Sequence, residues 1–208
     1  MTQVAFNNDP GLKQALLTSI AQHRAADKLL SGAYHDPETG AVCAVGCNIA
    51  AVREYTKTDT LEWGDHAGLG EAIGVPAILL RLQDYLFERL PIAERLEWPT
   101  KFAEAITPGA DLSMVWPRFA VRLLDRRISA GQDKKGVIKV VRDLYARWIA
   151  GDRPTREEFL EARRAAYAAA AADAAADAAA YAAAAAAERK QQAADLIELL
   201  EAARGPAA

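Results

Sequence analysis

The sequence predicts an all-α protein, with a compact multi-helix body and one very long C-terminal alanine-rich helix. Three observations carry that expectation. Ile78, Leu79, Leu82, Leu86 and Leu90 recur with a period near 3.6, the mark of an amphipathic helix. Proline, glycine and capping side chains punctuate the first 152 residues at helix-sized intervals. From 162 to 187 the chain is almost pure alanine, broken by Arg163-Arg164, Tyr167, Asp173, Asp177 and Tyr181. Alanine has the highest intrinsic helix propensity, and the stretch between Pro154 and Gly205 holds no glycine or proline.

Asp9-Pro10 is a cap followed by a first-turn proline, so a helix is expected from there to about Ser31, with Gly32 as its stop. Residues 33–42, with Asp36-Pro37-Glu38-Thr39-Gly40, have the composition of a turn joining two short extended pieces, at most a minor hairpin. The next helix is expected from Gly46 to about Lys57. Thr58 to Gly74 reads as a glycine-rich loop.

Pro76 opens a helix that Pro91 closes. Short helices are expected at 92–97 and 100–106, then one from Asp111 to Arg127 with Pro117 as a kink. A helix at 134–150 turns Val137, Val140, Val141, Leu144, Trp148 and Ile149 inward and ends at Gly151.

The tail comes last. Thr155 and Glu158 form a capping box, and Gly205-Pro206 supplies the stop. A single helix from Arg156 to Arg204 would be ~73 Å long at ~1.5 Å per residue. A compact body of ~150 residues has a radius of gyration near ~15 Å, so the rod would project beyond it. The domain division expected is therefore 1–152 for the body and 153–208 for the tail. Leu160, Tyr167 and Tyr181 share one heptad position, which favours a left-handed seam, and Leu196, Ile197, Leu199 and Leu200 add a stickier end. A homo-oligomer through this helix follows, with a two-fold dimer as the default.

Charge is unevenly spread. Residues 1–117 carry 9 basic and 15 acidic side chains, 118–164 carry 13 and 7, and 165–208 carry 3 and 6. A basic middle between acidic ends implies internal charge matching or a docking face for an acidic partner. Arg118, Arg122 and Arg126 line one helix face, and Lys135, Lys139 and Arg142 could do so on the next. A solvated or acid-matched face accounts for this stripe better than nucleic acid, because the whole chain is acidic and lacks a reading motif. The alanine tract contains two aspartates and lacks the leucine, isoleucine, valine or phenylalanine that drive membrane insertion. With two cysteines and no secretory signal at its start, the chain fits a reducing, cytoplasmic setting.

Polar chemistry concentrates in the first 66 residues, which hold His23, His35, His66, Cys43 and Cys47. His23 and Asp27 lie one turn apart in the middle of an apolar helix face. Gly46 in "TGAVCAVGCN" belongs to a tight stretch whose amides could hold an anion, though it matches neither the Walker nor the dinucleotide pattern. With Tyr34, His35, Trp63 and His66 close by in sequence, this is the candidate ligand pocket: His23, Asp27, Tyr34, His35, Cys43, Gly46, Cys47, Trp63 and His66. The cysteine spacing lacks a second knuckle, so buried thiols fit better than zinc, and no metal or cofactor is expected.

The segments "GAVCAVGCNIAA", "WGDHAGLGEAIGVPAILLRLQDYLFERLP" and "WPTKFAEAITPGADLSMVWPRFAVRLL", followed by the alanine-rich tail, resemble a group of uncharacterised bacterial and bacteriophage proteins. The resemblance covers nearly the whole chain. It implies a phage accessory or anti-defence context and brings no activity with it.

The function expected is a non-enzymatic binding or sequestering protein holding a small anionic ligand or an acidic protein partner. One alternative is an enzyme with a polar centre among His23, Asp27, Cys43, Cys47 and His66. Another is an assembly or nucleic-acid-associated protein using the basic stripe at 118–142.

Overall fold

A computed structural model describes residues 4–26, 28–29, 31–133, 135–173 and 181–203, and what it describes is all-α. The chain forms two compact units, Met1–Ser113 with Leu200–Ala208, and Met114–Leu199. The helices at 115–129 and 137–149, grouped with the body in the sequence reading, thus share a unit with most of the tail.

The first unit opens on a left-handed turn, Ala5–Asn8, that buries Phe6. Helix α1 (Pro10–Ala25) begins where Asp9 accepts the Gly11 amide, as its Asp-Pro signal predicts. It ends at Ala25, short of the expected Ser31. There the chain leaves the helix so that Leu29 bridges Val42 and the Lys28 carbonyl accepts the Val42 amide. The expected turn at 36–40 is present: the Asp36 side chain accepts from Glu38 and Thr39, and its amide bonds the Ala41 carbonyl.

Helix α2 (Ala44–Thr56) is buried over most of its first nine residues. The expected loop at 58–74 is instead partly helical, with α3 at His66–Ile73. Asp65 caps it by accepting the Ala67 and Gly68 amides. Its glycine is there for closeness, since a Cβ on Gly70 would stand 2.7 Å from the Val75 carbonyl. Helix α4 (Ala77–Arg89) forms where the leucine period placed it and turns Leu79, Leu80, Leu86 and Phe87 inward, while Ile78, counted in that period, is exposed.

Helix α5 (Ile92–Ala105) runs through Pro99 instead of breaking into two. Pro99 forfeits one backbone bond, but it is buried with Trp98, Phe102 and Ala103, and the Trp98 indole donates to the Gln83 carbonyl at 2.9 Å. Tertiary packing overrides the local signal.

In the second unit, α6 (Val115–Ser129) starts four residues later than Asp111, whose carboxylate accepts the Ser113 amide instead. Pro117 then falls in the first turn, where amides need no intrahelical partner, so it causes no kink. Helix α7 (Val137–Ile149) returns antiparallel: Asp125 pairs with Arg142, and Trp116 meets Tyr145. Helix α8 (Arg156–Asp173) opens on the expected capping box, Thr155 and Glu158 bonding each other's amides at 3.2 and 2.8 Å. It runs antiparallel to α7, with Phe159 against Tyr145 and Trp148.

Helix α9 (Tyr181–Ala202) pairs Glu198 with Arg122, and Glu188 and Asp195 with Arg126. Its numbering rises as that of α6 falls, so α9 is antiparallel to α6 while α8 is parallel to it. The described parts of the tail therefore run in opposite directions. This corrects the expectation of one uninterrupted straight helix; residues 174–180, within its middle, lie outside the described residues. Intrinsic propensity was read correctly as helix, but the acidic face of α9 finds its cations on α6. The patch at Leu196, Leu199 and Leu200 is buried within the single chain.

Candidate functional site

The predicted cluster resolves into three groups within the first unit. The first gathers on Asp84 of α4. The Tyr34 hydroxyl donates to Asp84 Oδ2 at 3.3 Å, the Cys43 thiol lies 3.9 Å from Oδ1, and His66 Nε2 lies 3.4 Å from Oδ2. The Tyr34 and His66 rings meet edge to face at 5.7 Å. Gly46 backs this group: any side chain there would collide with the Tyr34 carbonyl and Val42. Its role is steric fit at the start of α2. The amide expected to be free there meets the Cys43 sulfur at 3.4 Å.

One turn along α4, Glu88 accepts from the Ser31 hydroxyl at 2.6 Å and the Gly32 amide at 3.0 Å. Asp84 and Glu88 together fasten the irregular 31–43 segment to α4. Neither was singled out from sequence, where forty residues separate Asp84 from Cys43.

The second group is a stack. His35 lies flat on Trp63 with ring centroids 4.3 Å apart, and Arg53 lies over Trp63 at 4.4 Å. Trp63 also packs on the Ile20, Val42, Cys47 and Ala103 cluster. The third group joins His23 and Cys47 through Ser19. The His23 ring nitrogen Nδ1 lies 2.8 Å from the Ser19 carbonyl, and the Ser19 hydroxyl donates to the Cys47 carbonyl at 3.0 Å. Asp27, the expected partner of His23, lies outside the described residues.

The thiols are poor nucleophiles. Burial pushes the Cys43 pKa up to about 12, outweighing the Gly46 amide that would lower it, and burial raises Cys47 as well. Both stay protonated near neutrality. Among the described residues, no group of three histidine, cysteine or acidic side chains is placed to hold a metal. No helix among the described residues is long and apolar enough to cross a membrane.

A groove of about 610 Å³ lies elsewhere, between α6, α7 and α8 of the second unit. Leu123 and Leu124 of α6, Val137, Ile138, Val141 and Tyr145 of α7, and Phe159, Leu160 and Ala166 of α8 form its apolar lining. Cations stand around it: Arg127, Lys135, Arg156 and Arg163. Among the described residues none of the four has a carboxylate partner, and Arg163 contacts the Tyr167 ring at 5.2 Å. The one acid, Asp133, accepts the Ile138 and Lys139 amides at 2.8 and 2.9 Å.

The basic stripe divides accordingly. Arg122, Arg126 and Arg142 are matched internally by acids, as the charge distribution implied, while Arg118 is exposed. Arg127, one residue beyond Arg126 and ~100° further round the helix, faces the groove instead.

Sequence reasoning placed ligand binding in the first 66 residues and missed this groove. Its signal was present in the apolar faces of α7 and early α8 flanked by Arg127, Arg156 and Arg163, but only the antiparallel return of α8 brings them together. Comparisons with protein-family models, curated proteins and solved structures find no match.

Proposed function

We propose that the protein is a non-catalytic binding protein that holds a small anion-headed ligand with an apolar body in the α6–α8 groove. One observation carries this reading: an apolar groove of about 610 Å³ bordered by four cations, none of them with an acidic partner among the described residues. Ligand sites span ~300–1,000 Å³ and are mostly apolar with a few placed polar groups. Each methylene moved from water into such a lining contributes ~0.8 kcal/mol. Unmatched cations at the border supply attraction for an anion and select against cations.

Holding without turnover agrees with the protonated thiols of the first unit and with a groove that contains no histidine or cysteine. A sequestering role, as in the anti-defence context implied by the sequence resemblance, is the biological form this reading takes.

The test is a fluorescence titration of the full chain with anilinonaphthalene sulfonate, an aromatic anion. Saturable binding at one site per chain is expected, weakened at least ten-fold by R127E/R163E with the circular dichroism spectrum unchanged. Absence of saturable binding, or equal binding by the variant, would overturn the reading.

A further inference from the structure

We propose that the ligand is a single-chain alkyl phosphate monoester, its phosphate held by Arg127, Lys135 and Arg163 and its hydrocarbon directed toward Tyr145 and Phe159. This rests on the binding reading of the groove and goes beyond it in naming the head group and its orientation.

The register of the helices sets the polarity of the groove. Phe159 lies against Tyr145, with ring centroids 4.9 Å apart. Because α8 is antiparallel to α7, Arg163 and Tyr167, one and two turns on, come level with Val141 and Val137. Arg127 near the end of α6 and Lys135 just before α7 belong to that same end. Three cations thus gather where α7 begins, and the opposite end is an aromatic cluster of Trp116, Tyr145, Trp148 and Phe159. Arg156, seven residues before Arg163 and so ~10 Å away along α8, belongs to that far end and stands apart from the three, leaving the lining between them apolar.

Charge decides the head group. Asp133 is the only acid lining the groove among the described residues, and its carboxylate is committed to the first amides of α7. Against Arg127, Lys135 and Arg163 it leaves a balance of +2. A phosphate monoester carries about −1.5 to −2 near neutrality and three acceptor oxygens, which matches that balance, whereas a carboxylate leaves one cation uncompensated. Guanidinium forks bind phosphate oxygens in pairs, and an ammonium adds a point charge. Inorganic phosphate alone leaves the apolar lining unfilled, and a quaternary ammonium amphiphile meets three like charges.

The test is displacement of bound anilinonaphthalene sulfonate from the full chain by dodecyl phosphate, dodecanoate, dodecyl trimethylammonium and inorganic phosphate, each below any micellar concentration. Calorimetric titration of dodecyl phosphate replaces the dye if its signal is weak. Dodecyl phosphate is expected to act at least ten-fold below dodecanoate, with the trimethylammonium and inorganic phosphate inactive. K135A and R163A should each narrow the phosphate-to-carboxylate ratio to below three-fold while dodecanoate affinity changes less. Dodecanoate binding as tightly as dodecyl phosphate would overturn the head-group assignment and leave the anion-binding groove standing. Binding of neither anion would overturn both.

Discussion

Arg122 and Glu198 meet through two parallel bonds, 2.7 and 2.8 Å long, across 76 residues of sequence. With Arg126 reaching both Glu188 and Asp195 one turn away, this pairing lays α9 antiparallel along α6. The two arginines are not equivalent. Glu198 is two-thirds exposed, while Asp195 is buried and Arg126 serves two acids. Removing Arg126 leaves a buried carboxylate whose remaining hydrogen-bond partner among the described residues is Gln191, with the Arg122 charge acting on it from further away. R126A should therefore destabilise the protein by about 2–4 kcal/mol, near the range for breaking a buried pair. R122A should destabilise it less, because Glu198 is largely exposed. Urea denaturation of both variants checks the contrast.

The direction of α9 is open to distance measurement. Spin labels on R164C/A194C would be ~45 Å apart along one straight helix at ~1.5 Å per residue. In the antiparallel arrangement the two positions come level, and neighbouring axes stand ~8–10 Å apart, so a label separation under about 25 Å is expected. Cys43 and Cys47 are buried and should stay unlabelled in the folded protein.

A raised thiol pKa suppresses the thiolate at every pH below it, so Cys43, pushed up to about 12 by burial, should not gain reactivity between pH 7 and 9 as a free thiol would. Reaction with a disulfide reagent should be slow in native protein across that range and rapid for both cysteines in denaturant. A native thiol that reacts within seconds at pH 7.5 would contradict the buried assignment.

Acid should loosen the second unit. The Arg122 hydrogen bonds hold Glu198 below its ordinary carboxylate value, the Thr155 amide and Arg147 do the same for Glu158, and Lys139 lowers Asp143. Carboxylates lowered on folding stabilise the protein above their unfolded values and lose that contribution as pH falls through the folded ones. The melting temperature should be nearly flat from pH 7 to 5 and fall below the ordinary glutamate value of 4.5. R147A should lower the melting temperature at pH 7 and shrink its drop on acidification.

How far the sequence could be read depended on how local each signal is. Helix α4 was legible because Pro76, Pro91 and the leucine period all act within one element. The capping box at Thr155 and Glu158 was legible for the same reason. Helix α3 was hidden because Gly68 and Gly70 lower local propensity, while their benefit is close packing that no local pattern displays. Tyr34, Cys43 and His66 were correctly placed near one another, yet Asp84, which joins them, sits on a later helix. His23 and Cys47 fell into a neighbouring group because α1 presents Ser19 to α2. Arg126 and Arg127 look alike in sequence. Only the packing of α9 on one side of α6 and the groove on the other separates an arginine paired with acids from one that lines the groove.

The α6–α8 groove is expected to bind an anion-headed apolar ligand. Methyl NMR of the full chain titrated with dodecyl phosphate tests it most directly. Shifts should concentrate on Leu123, Leu124, Val137, Ile138, Val141 and Leu160, which line the groove. Core methyls of the first unit, such as Ile49, Leu79 and Leu86, should stay in place. Shifts centred on the first unit, or spread evenly over surface methyls without saturation, would contradict the account.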